Sequence, residues 1–150
     1  MSKVLMISIK TLKDNYTLDD NIEDKYLLSN IQKGMDFIVR PLLGKKLYNK
    51  ILLGIENGNL STENEETLED IEPILAYFVM SEVVYSTAYK LKNKGLEEGS
   101  DSNRFDELVR ISKKYKRDSE HYAQILREDL EASCDSKNKS NVYKTGIYLG

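Results

Sequence analysis

The sequence predicts an all-α protein: a compact bundle of about four to five helices, with a long last helix and extended arms at both ends. Three observations predict it. Apolar residues recur at spacings of three and four, as Leu28, Ile31, Met35, Ile38 and Leu42 do. Residues that start or stop helices, among them Pro41, Gly44, Gly58, Pro73 and Gly95, fall between or at the ends of such stripes. Only two short runs, residues 4–9 and 142–149, read as strands, and two cannot build a sheet.

Taken in order, residues 4–9 form an extended arm leading into one helical turn. The first long helix should start after Asp20 or Asn21, whose side chains can accept from first-turn amides. Glu23 and Asp24 then sit where the helix dipole favours carboxylates, and the helix ends near Gly44. Leu47, Tyr48, Ile51, Leu52 and Ile55 carry a second stripe over about 45–57, with Gly58 as its left-handed terminator. The spacing from Thr62 to Glu65 is that of a capping box and starts an acidic helix over 62–71. Pro73 has no N–H to donate, so the chain should break or kink there. It suits the first turn of the next helix, 73–94. Between Ile74 and Tyr89 the only charge is Glu82, which makes this the most buried element. Its Phe78, Val84, Tyr85 and Ala88 are expected to face the stripes of the first and last helices. Gly95 ends it, before a loop over 95–103.

The last helix, about 102–133, places Phe105, Leu108, Ser112, Tyr115, Ser119, Tyr122 and Leu126 on one stripe. At about 1.5 Å per residue it is roughly 45 Å long, more than a domain of this size needs. Residues 1–133 therefore read as one helical domain. A polar linker, 134–141, leads to a β-prone tail carrying Val142, Tyr143, Ile147, Tyr148 and Leu149. Such a tail suits strand addition to a neighbouring chain.

Composition narrows the chemistry. The 150 residues carry 22 Lys+Arg against 25 Asp+Glu, a mildly acidic balance unlike that of a dedicated nucleic-acid binder. Cys134 is the only cysteine and His121 the only histidine, so an intrachain disulfide, a multi-Cys metal site and an HExxH zinc site are ruled out. No apolar run has the length of a signal core or a bilayer span. The expectation is a soluble protein of a reducing compartment, without cofactor or membrane contact.

Two features could carry function. Glu82 in its apolar helix could be a buried general acid. Its plainer reading is a polar seam with Ser86 and Tyr89, or an ion pair with a cation of the last helix, since the chain offers no catalytic partner. Arg110, Lys113, Lys114, Lys116 and Arg117 place five cations within eight residues, with 110, 113, 114 and 117 on one side of the helix. They suit phosphate contact without sequence readout. Their plainer reading is a solvated face, or one paired with acids of another subunit. The acidic residues of 63–72 scatter around their helix axis and read as a solvated N-terminus.

The order of these features resembles the head–tail connector, or adaptor, proteins of tailed bacteriophages, particularly the ring proteins of crAss-like phages. The matching residues are Met6, Ile7, Ser8, Ile9, Lys10, Thr11, Leu12 and Lys13, then Asp20, Asn21 and Ile22 opening a helix. Ile38, Pro41, Leu42, Leu43, Gly44, Leu47 and Tyr48 follow, and later Ile71, Pro73, Leu75, Ala76 and Tyr77, closing at Asn93, Lys94 and Gly95. The resemblance covers about 1–133 and implies an all-α, non-enzymatic virion protein. Such proteins form a ring, usually of twelve copies, beneath the portal and around the DNA channel. Implied partners are further copies of the chain, the portal protein, other connector or tail proteins and, non-specifically, genomic DNA. The contrasting expectation is a small helical DNA-binding or regulatory protein using residues 110–117.

Overall fold

The computed structural model describes the backbone of residues 4–98 and 102–145, and the fold is all-α, with no strand among those residues. The elements are α1 (Ile9–Asn15), α2 (Asp24–Gly34), a π turn (Met35–Val39), α3 (Arg40–Leu43), α4 (Lys45–Asn57), α5 (Thr62–Glu98) and α6 (Ser102–Thr145).

The N-terminal arm is short and folded inward. Met6 and Ile7 are buried, and the Ser8 hydroxyl caps α1 by accepting from the Thr11 amide at 3.0 Å. Leu12, fully buried, anchors that helix to the core.

The first long helix starts later than expected. Glu23 is the residue before α2, while the Asp19 carboxylate accepts from the Asn21 amide and forms a turn instead. Lys13 then ties the turn to α2, donating to the Asp20 and Ile22 carbonyls and pairing with Asp24 at 3.3 Å. The buried stripe is also a different one. Leu27, Ile31, Met35 and Val39 are buried, whereas Leu28 is exposed and Ile38 and Leu42 are half-buried. Steps of four drift around an ideal α-helix of 3.6 residues per turn. The π turn widens the helix over Met35–Val39 and keeps the four on one side. Pro41 does not stop this rod, because it occupies the first turn of α3. Gly44 does, at φ 81°, a conformation that favours glycine.

Gly58 terminates α4 in the left-handed conformation, as expected. The cap of α5 is Ser61 rather than Thr62: its hydroxyl accepts from the Asn64 amide at 3.1 Å, and its carbonyl from the Glu65 amide.

Two expected boundaries disappear. Helices 62–71 and 73–94 are one continuous element, α5, with Pro73 inside it. A proline in a helix interior costs about 3 kcal/mol. Ile71, Ile74, Leu75, Ala76 and Val79, all fully buried, offset that cost by holding both sides of the proline against the rest of the molecule. Gly95 likewise lies within α5, so helix replaces the expected loop up to Glu98.

The second correction is at the other end. α6 does not stop at 133 but is helical to Thr145, so residues 134–145 are not an extended linker. No proline or glycine occurs between Ser102 and Thr145, and Gly146 is the first breaker, so nothing local ends the helix earlier. Its 44 residues span about 66 Å.

α5 and α6 form the dominant pairing and run antiparallel. Ser112 donates to the Ser81 carbonyl at 2.9 Å, and Ser119 to the Ile74 carbonyl at 2.7 Å. Both pairs step seven residues in opposite directions, the repeat of a helix pair that stays in register. Core burial is concentrated in the first half of α5. Phe78 and Ala88 are buried as expected, but Val84 is half-buried and Tyr85 is exposed.

Candidate functional site

Arg110, Lys113, Lys114, Lys116 and Arg117 are all exposed on α6. Their helix is fixed from behind: Ser112 and Ser119, the buried residues between and beyond them, are bonded to α5. Arg110, Lys113, Lys114 and Arg117 project away from that seam, as a spacing of three and four requires. Among the described residues none of the five cations is in an ion pair, and Asp106, Glu107, Asp118 and Glu120 flank them along α6. Lys116 stands apart from the other four, on the rim of a cleft between α6, α5 and the π turn.

Negative charge gathers where the start of α5 meets the far part of α6. Asp70 is held above the usual carboxylate range, first by desolvation and then by Asp129 and Glu66. The molecule thus carries a bare basic band in mid-α6 and an acidic end beside it.

Glu82 is not a buried acid. Its side chain is partly exposed and pairs with Lys33 of α2 at 3.6 Å, so the cation comes from the first long helix and not from the last. The Glu82 carbonyl accepts from the Tyr26 hydroxyl at 3.2 Å. This is a link between α2 and α5. Among the described residues no three His, Cys, Asp or Glu side chains come together as metal ligands. His121 is exposed and rests edge-on against Tyr122. No described helix is long and apolar enough to cross a membrane.

An aromatic cluster that periodicity alone does not reveal lies behind the basic band. Tyr77 stacks on Tyr122 with ring centroids 5.7 Å apart and on Tyr115 at 6.2 Å, and meets Tyr16 edge-on at 5.8 Å. Desolvation, with Glu72 next in importance, pushes the Tyr16 hydroxyl up to about 12.

The tail residues are divided. Val142 and Tyr143 belong to the helical backbone of α6, not to a strand, and Ile147, Tyr148 and Leu149 lie outside the described residues. The expected strand-adding arm is therefore withdrawn for its first half.

A further feature was missed by stripe counting. The π turn presents Phe37, 68% exposed, beside the cleft that Lys116 borders. The signal for it was the four-residue spacing of Leu27, Ile31, Met35 and Val39.

These surfaces belong to an all-helical protein. Residues 39–144 match the model of a family of unknown function, DUF6712, and the chain belongs to that family. No curated protein and no solved structure matches it.

Proposed function

We propose that the chain is a structural, non-enzymatic virion protein. It forms a ring at the head–tail junction of a tailed bacteriophage, beneath the portal and around the DNA channel. The resemblance of residues 1–133 to connector proteins supports the setting. The observation that carries the physical part is the bare band of Arg110, Lys113, Lys114 and Arg117 on a rigidly held helix. In a ring such a band meets either the phosphates of passing DNA, without reading bases, or the acidic end of the adjacent copy.

The same band favours a second reading, a small helical DNA-binding protein. Sedimentation of the purified chain, with and without duplex DNA over a salt series, separates the two. The ring reading requires a large particle whose DNA affinity is weak and lost as salt rises. Tight, sequence-selective binding by a small species at physiological salt overturns it.

A further inference from the structure

Two apolar clefts flank the π turn; one carries only acids and the other a small surplus of positive charge. One, of about 570 Å³, is lined by Val4, Met35, Tyr48, Leu52 and Leu53, and its charged residues are Asp36 and Glu56. The other, of about 570 Å³, has Phe37, Ile38, Pro41, Leu42, Phe78 and Ala123 as its apolar lining. Its cations are Lys33, Lys116 and Arg127, and its acids Glu82 and Glu120. Glu82 is engaged by Lys33, which leaves Lys116 and Arg127 with Glu120, a surplus of one cation, and Arg127 also donates to Gln124 at 3.0 Å. Consecutive residues, Asp36 and Phe37, border different clefts, so the two lie on different sides of the same helical turn.

The two most exposed large apolar side chains described stand one at each cleft: Phe37 at 68% and Leu53 at 56%. The acidic cleft is not self-complementary. Two copies meeting acidic cleft to acidic cleft would bring like charges together. An acidic cleft against a basic one is favourable, and because the two are different surfaces the contact is heterologous. Contacts of that kind repeat head to tail and close into a ring when the rotation allows.

We propose that the occupant of the acidic cleft is a second copy of this chain, with Phe37 of one copy seated beside Leu53 of the next and the basic rim of Lys116 and Arg127 against its Asp36 and Glu56. The inference rests on the ring reading above and assigns the faces that would meet. An exposed aromatic entering an apolar cleft ringed by charge is the usual anchor of such an interface.

Cysteine cross-linking tests it on the full chain. Cys134 is exposed, so C134S is the background, into which K116C and E56C, on the facing rims and away from the apolar anchors, are introduced separately. Each variant alone, and the two mixed, are oxidised with and without the portal protein. The mixture should give a disulfide-linked dimer and neither variant alone should, while F37D should lose the oligomer with helix content unchanged. Self-linking of K116C, or an oligomer without any 116–56 link, overturns this interface and leaves the ring reading intact. A chain that stays monomeric with and without the portal overturns both.

Discussion

The Ser119 hydroxyl lies 2.7 Å from the Ile74 carbonyl it bonds to, directly after the proline that should have broken α5. With Ser112 and Ser81 one heptad away, it sets the register of the two longest helices and so the orientation of the basic band. Small side chains at these positions let the helix backbones approach closely. Ser119→Ala should cost about 1 kcal/mol, the net value of one hydrogen bond. Ser119→Leu must force the helices apart and should cost about 1–3 kcal/mol. Thermal melts check both, and a Leu variant as stable as the parent would show that the seam is loose.

The second contact to test is that of α2 on α5. A Cβ at Gly34 would fall 2.9 Å from both Leu75 Cδ2 and Phe78 Cδ1. Alanine gains about 1 kcal/mol in helix propensity over glycine. Both neighbours are buried, however, and the overlap should win, giving a net loss of about 1–2 kcal/mol for Gly34→Ala. Phe78→Ala, which empties the same contact, should cost about 3–5 kcal/mol by urea titration.

Alkaline stability should depend on Tyr16. Its folded value of about 12 lies above the ordinary 10.0, so the fold holds the phenolic proton more tightly than the unfolded chain does. The associated stability is complete below pH 10 and falls as the pH climbs towards 12. Tyr16→Phe has no proton to lose and should flatten that part of the melting-temperature profile. An identical alkaline decline in the variant would place its origin elsewhere, for instance at Tyr77.

The basic band makes a charge-specific prediction. Arg110→Glu combined with Lys113→Glu should leave the melting temperature nearly unchanged, because both side chains are exposed and outside the observed ion pairs. Assembly, or DNA retention by the assembled particle, should fall sharply. Arg110→Lys, which keeps the positive charge, should preserve it.

How far the sequence spoke depended on the kind of signal. Local terminators were legible: the left-handed Gly58 and the helix-stopping Gly44 do what their residue type requires. The stripe of α4 was legible as well, since Tyr48 and Ile51 are buried where the spacing put them. Pro73 misled because tertiary burial of Ile71 and Ile74 outweighs a local penalty. The first stripe misled because a π turn changes the period itself, exchanging Leu28 for Leu27 as the buried residue. That Arg110, Lys113, Lys114 and Arg117 share one exposed side of α6 was legible from charge and spacing alone. The partner of Glu82 was not, since a contact between residues 33 and 82 leaves no trace in periodicity.

The most direct test is electron microscopy of the purified chain, alone and mixed with its portal protein. The account predicts closed rings of one stoichiometry, seated coaxially on the portal, with mid-α6 facing either the channel or the adjacent copy. A chain that remains monomeric and does not join the portal at micromolar concentration would contradict it.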